Sequence, residues 1–365
     1  MKSGLTLLAA GGTGGHIFPA QALSEILLEN NWRVKLVTDK RGSRFTENFS
    51  SNIEINISES GTFFRGALIK KLLTPWTIIR GSIYTIFILR RDRPDIVVGF
   101  GGYPTIPILI ASMILKIPIV LHEQNGVLGL VNRLFSKRAK VVACGTWPTL
   151  TPENVNKIFT GNPVRSSIMK RLGSPYIPPG DYPMGVLVIG GSQGANILSK
   201  VVPEALSKLP KSILKNIRVS HQARAEDASS VVESYDALGV KASVKTFFND
   251  IENKYSEAQL VISRSGASSV ADLSIIGRPS ILIPFAGARA DHQTTNAESL
   301  KKGGGAIVIK EAKVSPESLA KAIEKVLASP DIAQKMAGNA LKNGAPEATK
   351  KLYEVLVSVI KVETK

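Results

Sequence analysis

The chain predicts an α/β protein built as two doubly wound, Rossmann-like domains facing one another across a cleft. Three observations carry that reading. Short runs of branched apolar residues alternate with stretches of helical periodicity, as the buried strands and covering helices of parallel sheets do. The alternation opens twice in the same way, with LTLLAA before GGTGGH at 5–16 and VLVI before GGSQGA at 186–195. Between the two series lies GSPYIPPGDYPMG (173–185), whose Pro and Gly content suits a domain entry. The expected division is 1–163 and 164–345.

In the first series, Leu5–Ala10 reads as a strand, GGTGGHIFPA as a glycine-rich turn and Phe18–Glu29 as a helix. Val34–Thr38 is the next strand, and 39–60 reads only as short strands and loops. Ile96–Gly99, FGGYP and Pro104–Leu115 repeat the strand, turn and helix order. Pro118–His122 is a strand, Glu123–Gly126 a turn and Leu128–Phe135 a helix; Lys140–Ala143 and Lys157–Thr160 close the half. In the second series Val186–Ile189 is followed by GGSQGA and a helix over Asn196–Leu209. Gln259–Ser263, Arg264-Ser265-Gly266, Ala267–Ile276 and Ile281–Pro284 read as strand, turn, helix and strand. Helices are expected near 315–327, 331–342 and 346–361. The last is free to return to the first domain, and its sequence does not decide.

In open α/β sheets, ligands bind beyond the carboxyl ends of the strands, where helix N-termini offer backbone N–H groups. Gly11-Gly12-Thr13-Gly14-Gly15-His16 stands at such a turn, and its glycines let a bulky anion approach the backbone. Ile17 occupies the third glycine position of a dinucleotide fingerprint, which disfavours NAD, and no P-loop signature occurs. His16 reads either as a helix-start histidine satisfied by backbone or as a proton acceptor beside the loop. Gly190–Gly194 repeats the pattern in the second half and reads either as a second phosphate cradle or as a tight βα turn without ligand. Ser265 and Ser268 read either as helix caps or, with Asp272 one turn on, as groups for a ribose. His122-Glu123-Gln124-Asn125 ends a buried strand with four polar residues, which is inexpensive only where they meet solvent or a ligand.

The single cysteine, Cys144, excludes an internal disulfide. Four histidines at no ligand spacing, and no Asp-x-Asp, predict no metal held by the protein and no resident cofactor. The formal charge of +17 is spread over both halves, which points to anionic partners in general. Arg65–Arg93 interleaves basic residues with Phe, Trp, Tyr and Ile, a mixture suited to the headgroup layer of an anionic membrane. The alternative is a buried helix with a solvated basic end. Nucleic acid is not an expected partner, since no recognised motif accompanies the charge. The apolar run at the N-terminus is too short for a signal peptide, and Leu72–Leu89, broken by Pro75, Arg80 and Gly81, falls short of a membrane span.

Taken together and in order, GGTGGHIFPA, FGGYP, LHEQNGVLGLVNRLF, GNPVR, GGSQGA, RSGASSVADL and ADHQTTNA resemble the family-28 N-acetylglucosaminyltransferases of bacterial peptidoglycan synthesis. The resemblance runs from about residue 5 to 360. It implies a GT-B fold, with the nucleotide-sugar held mainly by the C-terminal domain and a lipid-linked acceptor by the N-terminal one. It also implies an inverting hexosyltransferase that moves GlcNAc from UDP-GlcNAc to the MurNAc 4-hydroxyl of undecaprenyl-linked lipid I, making lipid II. The expected location is the cytoplasmic face of the bacterial inner membrane, held peripherally.

By motif position, the resemblance assigns Thr13, Gly14, Gly15, Asn125, Arg165 and Ser192 to substrate contacts. Phe248 is implied to meet the uracil through its backbone, Ala267, Ser268, Ser269, Val270, Ala271 and Asp272 the nucleoside, and Gln293 the sugar hydroxyls. Asp272 stands where the family pattern expects a glutamate, one methylene longer. Tyr103, His122, Asn132 and Arg264 fall near the expected cleft. Loss of UDP requires a base for the acceptor hydroxyl, with His16 the first candidate and Glu123 the second. A hydrolysing UDP-GlcNAc epimerase of the same plan, and a non-catalytic nucleotide-sugar-binding membrane protein, are the competing readings.

Overall fold

The computed structural model describes residues 4–58, 68–191 and 194–363. The chain divides into two compact units, Met1–Ser166 with Glu347–Lys365, and Ser167–Pro346.

The first unit contains β1 (Leu5–Ala9), α1 (Gly14–Glu29), β2 (Arg33–Thr38), β3 (Glu54–Ile57), α2 (Leu68–Arg91) and β4 (Ile96–Gly99). It continues with α3 (Ile106–Ile114), β5 (Ile119–Glu123), α4 (Leu130–Phe135), β6 (Val141–Cys144) and β7 (Lys157–Phe159). The strands form one parallel sheet in the order β3-β2-β1-β4-β5-β6-β7. Strand order reverses between β1 and β4, so the two loops leaving these neighbours open a crevice at the carboxyl edge.

The central strands are buried on both faces, which is why they read as continuous apolar runs. Their alternate residues feed two cores. Leu8, Val98, Val120 and Ala143 pack with Ile17, Leu23 and Leu27 of α1 on one face. Leu7, Val97, Leu121 and Val142 pack with α3 and α4 residues on the other.

After a short α5 (Ser166–Met169), the second unit runs β8 (Met184–Ile189), α6 (Asn196–Leu206), α7 (Lys211–Leu214), β9 (Ile217–Gln222), α8 (Ala228–Ala237) and β10 (Lys241–Lys245). Then follow α9 (Ile251–Glu257), β11 (Ala258–Ser263), α10 (Ala267–Ile276), β12 (Ser280–Leu282), α11 (His292–Lys302) and β13 (Ala306–Val308). Helices α12 (Pro316–Leu327) and α13 (Pro330–Lys342) complete it. This sheet is also parallel, ordered β10-β9-β8-β11-β12-β13, with its switch point between β8 and β11. The edge strand β10 is largely exposed and carries Lys at both ends, which protects an open edge from pairing.

The last helix, α14 (Ala348–Glu363), belongs to the first unit. Leu352, Val355, Leu356 and Val359, at helical spacing, join the core formed around α1. The return that the sequence leaves open is therefore made.

Two boundaries differ from the sequence reading in ways that matter. Helix α1 begins at Gly14, not Phe18, because the Thr13 carbonyl already accepts from the His16 and Ile17 amides. Gly14, Gly15 and His16 are therefore the first helical turn. Strand β5 extends through Glu123, whose side chain is buried beneath the loop it was expected to open.

The C-terminal half of α2 leaves Ile79, Ile83, Tyr84, Phe87 and Ile88 exposed, while Ser82 and Leu89 face inward. This described half of α2 is thus not a buried helix. The exposed residues lie three, four and eight apart, so they line one stripe, with Arg80, Arg90 and Arg91 also exposed. Residues 65–67 and the side chains of 68–78 lie outside the described residues. No helix among the described residues is long and apolar enough to cross a membrane.

Candidate active site

In the first unit, the loops after β1 and β4 press together at the switch point. The Gly11 amide donates to the Gly101 carbonyl at 3.3 Å. A Cβ on Gly102, whose φ is +90°, would sit 2.7 Å from the Gly11 carbonyl oxygen. One on Gly11 would meet the Pro104 ring at 2.6 Å. These glycines are contact requirements between two loops.

Asp39, at the end of β2, was not singled out in the sequence and proves central to this loop. Its Oδ1 accepts from the Gly12 amide at 2.8 Å and the Gly42 amide at 3.0 Å, and its Oδ2 pairs with Arg41 at 2.9 Å. A carboxylate one residue past a buried strand, beside the switch point, is the signal that could have found it.

His16 projects from the first turn of α1, and its Nδ1 lies 2.6 Å from the Gly11 carbonyl oxygen. A Cβ placed on Gly101 would stand 3.3 Å from His16 Nε2 and 3.6 Å from Asn132 Nδ2, so both side chains border that glycine. Thr13 is the residue preceding α1, with extended backbone and no capping bond from its side chain. Gly14 is packed by the Phe18 ring, whereas Gly15 would meet only Thr13 Oγ1. Tyr103 sits half-buried in the turn before α3.

Glu123 is 2% exposed, and four donors converge on its two oxygens. Oε1 accepts from the Asn125 amide at 3.1 Å and from Asn125 Nδ2 at 2.9 Å. Oε2 accepts from the Gly129 amide at 2.8 Å and from Asn132 Nδ2 at 2.9 Å. A carboxylate has about four lone-pair directions, so this one is committed to holding the β5–α4 loop. Asn125 and Asn132 are its arms. His122 is fully buried, with Nδ1 3.2 Å from Gln124 Nε2. Burial lowers its pKa to about 4 and keeps the ring neutral. Arg165 stacks on Phe18 of α1 at 3.9 Å, which brings its charge beside the first turn of that helix.

The second unit repeats the plan. The Arg264 amide donates to the Ile189 carbonyl at 3.2 Å, joining the loops after β8 and β11. Gly191 and Gly194 both have positive φ, and a Cβ on Gly190 would lie 2.3 Å from the Ala195 amide nitrogen. Ser192 falls outside the described residues.

Ser265 does not cap α10: Gly266 precedes the helix, and Ser265 Oγ donates instead to the Gln293 carbonyl at 2.8 Å. Gln293 Oε1 accepts from the Phe285 amide at 3.0 Å, and Asn296 Nδ2 donates to the Ser265 carbonyl at 3.2 Å. The turns after β11 and β12 and the start of α11 are thereby tied together. Ala267, Val270 and Asp272 are buried, while Ser268, Ser269 and Ala271 are half-buried. Asp272 is therefore no solvated face residue. Ser268 Oγ is buried without a hydrogen-bond partner among the described residues. Phe248, in the segment between β10 and α9, is also buried.

Arg264 falls near the expected cleft by motif position; only 7% of it is exposed, and its guanidinium is engaged. It forms a two-pronged pair with Glu311 at 3.0 and 3.1 Å and donates to the Ile283 and Pro284 carbonyls. Glu311 also accepts from the Ala286 amide at 2.7 Å, so the pair shapes the loop after β12. Among the described residues, no three His, Cys, Asp or Glu side chains are grouped to hold a metal ion.

Residues 6–144 match the glycosyltransferase family 28 N-terminal domain, and residues 185–352 match the family's C-terminal domain. The chain belongs to glycosyltransferase family 28. The family's two domain matches fall one on each parallel sheet. Among its curated relatives, a UDP-N-acetylglucosamine--N-acetylmuramyl-(pentapeptide) pyrophosphoryl-undecaprenol N-acetylglucosamine transferase of Rhizobium meliloti is 42% identical, over 99% of this chain and 96% of that one. A Brucella abortus protein of the same name is 39% identical over 100% of the chain. The crystal structure of Acinetobacter baumannii MurG superposes with a TM-score of 0.76 at 27% identity, covering 98% of this chain and 99% of that one. A putative UDP-N-acetylglucosamine 2-epimerase from Listeria monocytogenes shares the fold at 14% identity, with a TM-score of 0.68.

Proposed function

We propose that this family-28 chain transfers N-acetylglucosamine from UDP-GlcNAc to the 4-hydroxyl of the MurNAc unit of undecaprenyl-diphospho-MurNAc-pentapeptide, with inversion. The observation that carries the activity is the 42% identity to the Rhizobium meliloti transferase over 99% of the chain.

The acceptor oxygen bonds to the anomeric carbon, the bond from that carbon to the UDP oxygen breaks, and the acceptor proton goes to His16. A carbonyl can only accept, so the bond to Gly11 requires the proton on Nδ1 and leaves the basic lone pair of the neutral ring on Nε2. Glu123 acts as a positioning residue, holding Asn125 in the β5–α4 loop and Asn132 beside Gly101, which the His16 ring also borders. The N-terminus of α1, with Thr13, Gly14 and Gly15, and Arg165 beside it, suits the charge of a diphosphate. In the second unit the nucleotide-sugar takes the Gly190–Gly194 turn with Ser192, the Phe248 backbone, Ala267–Asp272 and Gln293. Fixed donors aimed at the departing diphosphate lower the barrier as its charge grows. Displacement at carbon of this kind needs no resident cofactor.

The exposed apolar and basic stripe on α2 suits an anionic membrane surface, where the lipid-linked acceptor resides, at the cytoplasmic face of the inner membrane. The test is GlcNAc transfer from UDP-GlcNAc to a lipid I analogue, followed by product mass. Turnover of UDP-GlcNAc with no acceptor present supports an epimerase instead. UDP-GlcNAc binding without turnover, even with the analogue, supports a non-catalytic protein.

A further inference from the structure

Arg278, the second residue after α10, is fully buried. Its guanidinium makes no ion pair with a carboxylate among the described residues and is held by six backbone carbonyls. Nε donates to Tyr255 at 3.0 Å. Nη1 donates to Ser174 at 3.0 Å and to Ile276 and Gly277 at 3.1 Å each. Nη2 donates to Pro175 at 3.1 Å and to Ser256 at 2.6 Å. The Tyr176 ring lies 5.5 Å from it.

Four of those carbonyls end helices. Tyr255 and Ser256 lie in the last turn of α9, and Ile276 and Gly277 close α10. The last carbonyls of a helix lack partners within it and carry the negative end of its dipole, so one buried cation satisfies both ends at once. The five N–H groups of a guanidinium form a rigid fork that an ammonium lacks, and this fork fixes how the two ends sit relative to each other.

Both helices run from the carboxyl edge of the sheet to its amino edge, between parallel strands. Their opposite ends therefore lie at the carboxyl edge. Phe248 comes shortly before α9, and Ala267–Asp272 form the first turns of α10. Helices are stiff, so an offset at one end is passed to the other.

We propose that Arg278 is a positioning residue for the nucleotide site. By locking the carboxyl-terminal ends of α9 and α10 to each other and to the Ser174–Tyr176 strap, it sets how Phe248 and Ala267–Asp272 meet a uridine diphosphate about 15 Å away, at 1.5 Å per helical residue. The inference rests on the assignment of the nucleotide to the second unit.

The test uses the full-length chain with Arg278→Met and Arg278→Lys. Calorimetric titration with UDP is expected to show Kd raised about tenfold for Arg278→Met, equivalent to about 1.4 kcal/mol, and by less for Arg278→Lys. KM for UDP-GlcNAc should rise in step while KM for the lipid I analogue stays put. A role in stability alone lowers Tm without that split, so a folded Arg278→Met that binds UDP with wild-type affinity overturns the proposal. Should both variants fail to fold, hydrogen exchange on the wild type decides. Saturating UDP should slow the amides of Gly173, Ser174, Tyr176 and Arg278 more than those of α8, and equal slowing overturns the proposal. A wild-type chain that fails to bind UDP removes the nucleotide assignment itself, and this inference with it.

Discussion

His16 Nδ1 stands 2.6 Å from the carbonyl oxygen of Gly11, and that one contact fixes the tautomer of the ring. The glycine loop that opens the first unit thereby orients the group we assign as its base. His16→Gln keeps a donor for the Gly11 carbonyl but offers no basic nitrogen. We expect kcat to fall by about 10²- to 10⁴-fold, with KM for UDP-GlcNAc within about a factor of two. Steady-state kinetics measures it, and a wild-type kcat would remove His16 from the reaction.

Glu123→Gln puts an amide NH2 where four donors converge, so at least one donor faces another. The expected loss is about 2–4 kcal/mol of stability, from bonds to a buried charge. Activity should fall through loop disorder, while the pH dependence of the remaining activity keeps its shape. A lost acidic limb of the pH–rate profile would instead mark Glu123 as the proton acceptor.

Gly102→Ala places a methyl 2.7 Å from the Gly11 carbonyl oxygen, on a residue with φ +90°. Both effects act against the native loop contact, at a cost of about 2 kcal/mol or more. Urea denaturation of the two proteins gives the difference, and an unchanged midpoint would show that the β1 and β4 loops can separate freely.

His122 in the first unit and His221 in the second are both held near a pKa of about 4, each chiefly by burial. Their folded values lie below the unfolded value of about 6.5, so the neutral rings stabilise the fold fully above that pH. That stability is lost as pH falls from about 6.5 to about 4, on the order of 3 kcal/mol for each ring. Tm measured from pH 8 down to pH 4 should drop across this window, and a flat profile would count against buried neutral histidines.

Ile83→Ser with Phe87→Ser removes apolar groups that are 51% and 65% exposed on α2, so folding stability should change little. Binding to vesicles containing anionic lipid should weaken several-fold in cosedimentation. Charge reversal at Arg80, Arg90 and Arg91 should do the same in a salt-dependent way. Vesicle binding that survives both sets of changes would move the membrane contact elsewhere.

Much of the architecture was legible in the chain because parallel strands leave a plain record. LTLLA, IVVG and AQLVIS are buried on both faces and so carry no polar alternation, and the glycines mark where each strand turns into its helix. The candidate loops were found for the same reason, since strand, glycine turn and helix N-terminus are local features.

What depended on distant contacts was not legible. Asp39 looked like any residue after a strand until the fold brought Gly12 and Gly42 onto its oxygens. Glu123 reads as a candidate base and Arg264 as a residue near the cleft, but Asn132, nine positions on, and Glu311, forty-seven positions on, engage their charged groups. The return of α14 to the first unit rests on Leu352 and Leu356 meeting the α1 core across most of the chain. Sequence by itself determined the periodicity, the turn chemistry and hence the two sheets with their loops, because these depend on neighbours within a few residues. Only the tertiary structure decided which polar side chains face a substrate and which bind the scaffold, because a buried charge or amide takes its role from partners that the chain supplies from afar.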